Sequence, residues 1–155
     1  MLFVTLGTQD KSFKRLIDYF ENLDTDEEII VQSGLTNYTS NKLKIEKFFS
    51  NEGLEKNIQD ARIVITHGGV GTIINALNHH KVVIACARLA KYHEHHNDHQ
   101  VQIIDEFEKA GYLLALRDGD DIKEVLKRAE NFVPKQYESN TENFVKKLDD
   151  YLSGL

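Results

Sequence analysis

The chain holds a single cysteine, Cys86, among 155 residues, so no disulfide can form within it. Cys86 sits in an apolar stretch, where a thiol acts as a small buried hydrophobe rather than a reactive group. Long hydrophobic runs are missing too: none approaches the ~18 consecutive apolar residues of a membrane-spanning helix. The opening Met1-Leu2-Phe3-Val4-Thr5-Leu6 is too short for a signal peptide and lacks a basic start. A cytoplasmic protein without direct membrane insertion is therefore expected. Positive charge is in deficit. The formal net charge of −6 argues against non-specific nucleic-acid binding. Three familiar motifs are also absent. No GxxxxGK followed by Ser or Thr occurs, which excludes a P-loop, and the dinucleotide fingerprint GxGxxG does not occur either. His93-Glu94 lacks a histidine at position 97, so the HExxH zinc signature fails.

What is present is a chain long enough for one domain with a real core, with 41% hydrophobic and 28% charged residues. Apolar runs at strand length alternate with apolar residues at helical spacing. Strands are expected at 2–6, 28–32, 62–66, 82–87 and 112–116, and a strand leading into a loop at 43–49. Helices are expected at 12–23, 54–61, 70–79, 98–110, 119–131 and 141–152. The first buries Phe13, Leu16, Ile17 and Phe20. Gly111 stops the helix ending at Ala110. The last helix has Ser139 and Glu142 at capping-box spacing and carries Phe144, Leu148, Tyr151 and Leu152 on one side. That face either closes the domain's own core or docks a second protein. Alternating strands and helices, with several strands apolar throughout, indicate a parallel sheet covered on both faces. In such sheets ligands bind beyond the carboxyl ends of the strands. Gly7-Thr8, Gly34, residues 67–72 and the segment after Ala87 all fall at such ends.

The most informative stretch is Arg62-Ile63-Val64-Ile65-Thr66-His67-Gly68-Gly69-Val70-Gly71-Thr72. It reads as a buried strand, a glycine turn and a helix start. Glycines let a backbone approach a ligand closely, and the free N–H groups of a helix N-terminus attract an anion such as a nucleotide diphosphate. The alternative is a tight strand-to-helix turn with no ligand. All seven histidines lie between His67 and His99, most of them in Tyr92-His93-Glu94-His95-His96-Asn97-Asp98-His99-Gln100. Three readings apply to that segment: a metal site, a solvated loop, or a polar ligand-binding loop in which Asp98, His99 and Gln100 open a helix. His95 and His99 could share a helix face, but no clear third metal ligand follows.

Gly7-Thr8-Gln9, Gln32-Ser33-Gly34, the 66–72 turn and Glu94-His95-His96-Asn97-Asp98-His99-Gln100 occur in that order. In this combination the chain resembles the family 28 glycosyltransferase C-terminal domain over roughly residues 1–150. More narrowly, it is similar to the stand-alone half found in bacterial exopolysaccharide and capsule enzymes. These in turn are similar to the catalytic subunit of the dolichol-linked N-acetylglucosaminyltransferase. The resemblance implies one domain over 1–155, α/β, a three-layer Rossmann-like parallel sheet forming one half of a GT-B fold. It implies a UDP-sugar donor, a lipid-linked saccharide acceptor, and a membrane-associated partner subunit that binds the acceptor and recruits this chain to the inner membrane face.

Residue by residue, the resemblance puts Gly7, Thr8, His67, Gly68, Gly69, Val70, Gly71 and Thr72 at the diphosphate. It puts Asn75, Asn97, Asp98, His99 and Gln100 at the ribose and sugar. Gly34, Glu94 and His95 are further candidates. Related enzymes carry a glutamate where Asn75 stands, and an amide can still hydrogen-bond a diol. Two prolines usual in the family are replaced by Val82 and Ala87. Arg88 either neutralises phosphate or is a surface charge. The sequence is read as holding no DxD motif, so no divalent metal is expected to hold the diphosphate, and no cofactor. No residue is assigned as catalytic base. Two other classes stay open: a non-catalytic enhancer that stabilises a partner enzyme, and a single-domain nucleotide-binding enzyme unrelated to sugars.

Overall fold

The apolar runs become strands in the computed structural model, which describes residues 1–138 together with 146 and 150. β1 is Leu2–Thr5, β2 Ile29–Gln32, β3 Lys44–Glu46, β4 Ile63–His67, β5 Val82–Cys86 and β6 Leu114–Ala115. All pair in parallel, in the order β3-β2-β1-β4-β5-β6. β1 sits at the centre, with Val4 level with Val31 of β2 and Ile65 of β4. The chain leaves the middle of the sheet in one direction through β2 and β3, then returns to continue in the other through β4. That reversal is a topological switch point between β1 and β4, where doubly wound sheets open a crevice.

The helices are α1 (Lys14–Glu21), α2 (Asn51–Asp60), α3 (Val70–Asn78), α4 (His99–Lys109) and α5 (Ile122–Glu130). Alternate strand residues face opposite helical layers, as the period of a strand requires. Val4, Val31, Ile65, Ile84 and Cys86 pack with Phe13, Leu16, Ile17 and Phe20 at α1 and with Val125 and Ala129 of α5. Phe3, Val64, Val83 and Ala85 pack with Ile58 of α2, Ile73, Ala76 and Leu77 of α3, and Ile104 and Phe107 of α4. Three layers result. β1 and β4 are buried on both faces, which is why their sequences are apolar without alternation.

Element boundaries depart from expectation where a side chain redirects the backbone. α1 begins two residues late, with Phe13 as its non-helical N-cap (φ −137°, ψ 50°) and the Phe13 N–H bonded to Thr36 Oγ1 at 3.0 Å. α2 begins early because Ser50 caps it, accepting from Gly53 N at 3.1 Å. Gly111 ends α4 as expected: its φ of +88° is the left-handed stop, and Tyr112 N–H reaches back to Phe107 O at 3.0 Å. A single 3₁₀ turn, Ala90–Tyr92, was not foreseen. Of the helix expected at 141–152 only Lys146 and Asp150 are described, both helical and exposed; Phe144, Leu148, Tyr151 and Leu152 lie outside the described residues, and with them the docking-or-core question. Among the described residues, no helix is long and apolar enough to cross a membrane.

Candidate functional site

The switch point is built from two turns. β1 leads through Leu6, whose N–H pairs with Gln32 O at 3.0 Å, into Gly7 with φ +75°. β4 ends at His67, and Gly68 and Gly69 lead straight into α3. Gly69 precedes the helix in extended conformation and has no side chain to cap it, so Val70, Gly71 and Thr72 open α3 with uncapped N–H groups. The first intrahelical bond runs from Ile73 N to Gly69 O at 3.1 Å. Gly71 is exposed, and a Cβ added there would meet nothing within 4 Å. This is a short uncapped helix N-terminus at a sheet crevice, a place suited to an anion.

His67 fills the space between the turns. A Cβ on Gly7 would overlap its Nε2, and one on Gly69 would stand 2.7 Å from the same atom. The glycines are thus required by the imidazole as well as by any ligand. Burial holds the His67 pKa down at about 4, helped by the charge of Arg88 and by His95, so the ring is neutral at physiological pH. Its Nδ1 lies 3.3 Å from Gln100 Nε2. Gln100 Oε1 accepts from Gly68 N and from Arg88 N, both at 3.0 Å. One buried amide therefore ties together the β4 turn, the segment after β5 and α4.

The segment after β5 is held from within. Arg88 is 1% exposed, which removes the surface-charge reading. Its guanidinium donates to Leu6 O at 2.7 Å, Lys11 O at 2.7 Å and Glu94 O at 3.1 Å, and lies over the Phe13 ring at 4.9 Å. Desolvation lowers its pKa to about 10. Arg88 thus pins the β1 turn and the β5–α4 loop to each other. Glu94 is also buried and takes two hydrogen bonds from Arg15 of α1, at 2.9 and 3.1 Å, plus one from Leu89 N at 3.0 Å. Arg15 gave no signal in the sequence, being 79 positions from its partner.

The remaining candidates divide. Gly34, with φ +58°, abuts the β1 turn: a Cβ there would be 2.7 Å from Gly7 O. Thr8 is exposed at the same edge. Asp98 Oδ1 accepts from Ala90 N at 2.9 Å and Asn97 Oδ1 from His99 N at 3.0 Å, so both carboxyl and amide shape the loop before α4. His95 accepts from Asn97 N at 3.3 Å and stacks on His96 at 4.5 Å. His99 Nδ1 is buried without a partner among the described residues. Asn75 donates to Glu55 of α2 at 2.8 Å, and the other Glu55 oxygen meets His79 at 2.5 Å. The sequence reading missed Glu55, which stands beside the position where related enzymes carry a glutamate.

One expectation needs correcting. The chain does contain Asp-x-Asp triplets, Asp24-Thr25-Asp26 and Asp118-Gly119-Asp120. The first precedes β2, at the amino edge of the sheet, far from the glycine turns. In the second, Asp118 pairs with Lys91 at 2.8 Å and accepts from Tyr92 Oη at 2.7 Å. It borders an apolar cavity of about 270 Å³ between α4 and the ends of β5 and β6, lined by Ala87, Leu89, Val101, Ile104 and Leu116. Among the described residues, no group of three His, Cys, Asp or Glu side chains is placed to hold a metal ion.

Comparison with known proteins agrees with this architecture. Residues 1–153 match the glycosyltransferase family 28 C-terminal domain. Over 108 residues the chain is 32% identical to the UDP-N-acetylglucosamine transferase subunit ALG13 of Saccharomyces cerevisiae, covering 69% of this chain and 48% of that protein. It is 37% identical to the Eremothecium gossypii subunit of the same name over 70 residues, or 44% of this chain and 32% of that protein. The chain thus spans half or less of the curated relatives it matches. Among solved structures, the calicheamicin glycosyltransferase CalG4 superposes with a TM-score of 0.61 at 17% identity, covering 98% of this chain and 38% of that one. An NMR structure of ALG13 gives 0.60 at 20% identity, covering 94% and 92%. These likenesses show the fold, that of a GT-B glycosyltransferase half.

Proposed function

Because the chain belongs to the glycosyltransferase family 28 C-terminal domain family, we propose that it is the UDP-sugar-binding subunit of a two-component glycosyltransferase. Its donor diphosphate rests on the uncapped N-terminus of α3, between the Gly7 turn and the turn at 67–72. With a membrane-associated partner it transfers a hexose or N-acetylhexosamine to a lipid-linked acceptor in exopolysaccharide or capsule synthesis, at the cytoplasmic membrane face. The observation that carries this reading is the pairing of two glycine turns around His67 at the β1/β4 switch point. As the sugar leaves, charge grows on the UDP diphosphate. The α3 N–H groups and helix dipole are aligned beforehand to stabilise it. No resident cofactor and no metal enter this reading.

Gln100 serves this site from beneath. Its amide is occupied by Gly68, Arg88 and His67, so sugar contacts fall to the exposed side of the loop, at Asn97, Asp98 and His99. Glu55 joins Asn75 as a candidate for the ribose. Isothermal titration with UDP and UDP-sugars tests the reading. Gly71→Ala is the informative variant, because its methyl enters open space and leaves the fold intact. Binding by the wild type that Gly71→Ala weakens supports it. No binding at millimolar ligand favours the enhancer alternative, in which the partner carries the donor site.

A further inference from the structure

We propose that Gln100 sets the tautomer of His67, holding its single proton on Nε2 so that a neutral N–H donor faces the space between the two glycine turns. Gln100 is a positioning residue in this account, and its consequence for catalysis rests on the diphosphate site proposed above.

The argument is one of donors and acceptors. Gly68 N and Arg88 N are main-chain groups that can only donate, and both point at the same Gln100 oxygen from 3.0 Å. Flipping the amide would aim its NH₂ at two N–H groups, so the orientation is settled by the backbone. Nε2 is then the atom 3.3 Å from His67 Nδ1, and it too can only donate. Nδ1 must offer its lone pair. A neutral imidazole has one N–H, which this leaves on Nε2. The neutral form follows from burial, with Arg88 and His95 the charged and titratable groups that act on the ring.

The other edge of the ring completes the case. Nε2 lies against Gly7 and Gly69, the two residues whose Cβ atoms would collide with it. Among the described residues no protein acceptor meets Nε2, and it is not one of the sealed, unpartnered polar atoms. A donor is thus left unused beside the helix N-terminus where an anion would sit. A neutral N–H there keeps its donor capacity across neutral pH without bringing a charge into a buried site. It gives up no proton in the reaction; its bond to a diphosphate oxygen strengthens as that oxygen gains charge.

Nitrogen-15 NMR of histidine-labelled protein reads the tautomer directly. The wild type should show His67 with the proton on Nε2 at pH 7. Gln100→Glu keeps the length and still accepts from Gly68 and Arg88, but it replaces the NH₂ donor with an acceptor. The proton should then move from Nε2 to Nδ1, and UDP should bind about tenfold more weakly because its donor at Nε2 is lost. A wild-type proton on Nδ1 overturns the proposal, whatever UDP does. So does a Gln100→Glu protein whose tautomer is unchanged, or one whose tautomer moves with no change in UDP affinity. If Gln100→Glu does not fold, the wild-type spectrum alone decides the tautomer. Failure of the wild type to bind UDP would overturn the proposed function and leave the tautomer result standing.

Discussion

Gly7 meets the Nε2 corner of His67 where the turns after β1 and β4 approach, so closely that a methyl group on Gly7 would overlap Nε2 and stand 2.9 Å from the ring's Cε1. The backbone at Gly7 is left-handed as well, with φ +75°. Gly7→Ala therefore combines backbone strain with a collision, and should destabilise the fold by roughly 1–3 kcal/mol. It should also displace His67 and weaken UDP binding. Urea midpoints and a UDP titration check both; an unchanged midpoint would mean the turn relaxes freely.

Gly71 predicts the opposite combination. It is the second residue of α3, with open space around it. Alanine there should raise stability by roughly 0.5–1 kcal/mol through helix propensity. Its methyl should nevertheless crowd an anion at the α3 N-terminus and lower UDP affinity. Stability and binding moving in opposite directions would mark a ligand site rather than a structural turn.

Arg15 and Glu94 form a mostly buried pair, 18% and 5% exposed, linking α1 to the β5–α4 loop. Removing one partner strands the other charge. Arg15→Met should cost about 3–5 kcal/mol, and the double variant Arg15→Met with Glu94→Leu should recover much of the loss. Chemical denaturation of the three variants measures it. If the double variant loses as much as the sum of the singles, the two side chains act independently.

Much of the architecture was legible because burial on both faces leaves an unmistakable mark. Ile63-Val64-Ile65 and Val82-Val83-Ile84 can only be central strands, and the glycines at 68, 69 and 71 announce the turn between strand and helix. What the sequence could not reveal is which polar groups spend themselves on each other. Gln100 and Asp98 look like ligands because polar residues at a helix start at the carboxyl edge usually face the crevice. Yet Gln100 turns inward to bond two backbone N–H groups and His67, and Asp98 uses one of its two carboxylate oxygens to hold Ala90 N. Arg88 looked like a surface charge or a phosphate ligand because its three carbonyl partners belong to Leu6, Lys11 and Glu94. Such long-range pairings leave no periodicity behind.

Acid should unfold the protein through His67. Unfolded histidine titrates near 6.5, whereas burial holds the folded ring near 4. Between those values the unfolded chain carries a proton that the folded chain lacks, so stability falls as pH drops from 6.5 toward 4, by up to about 3 kcal/mol, and this contribution levels off below. His95, also lowered by burial, adds in the same direction. Glu27, held down at about 2 by Arg62, acts in a lower window, losing its contribution as pH falls from 4.5 toward 2. Urea unfolding at pH 7 and pH 4.5 should show a smaller acid loss in His67→Gln than in the wild type. Equal losses would mean that His67 is protonated in the folded state.

The purified chain alone should hold UDP-sugar yet transfer little of it. The proposed donor crevice opens at the carboxyl edge of one sheet, where the chain places the Gly7 turn, the α3 N-terminus and the loop before α4. Catalysis of transfer needs the acceptor hydroxyl held in line with the sugar carbon and water kept away, and such positioning accounts for several powers of ten in rate. His67 is not itself placed as a general base toward an incoming hydroxyl, since its nitrogen that could accept a proton is engaged by Gln100. In the proposed reading the acceptor and its base belong to a second protein. In the same reading, attachment to the lipid surface falls to that protein too. Assays with a radiolabelled UDP-sugar and a lipid-linked acceptor should show transfer only when the partner is present, and the chain should sediment with membranes only then. Robust transfer by the chain alone would refute the two-component reading. Sedimentation without the partner would refute recruitment by it while leaving the donor site intact.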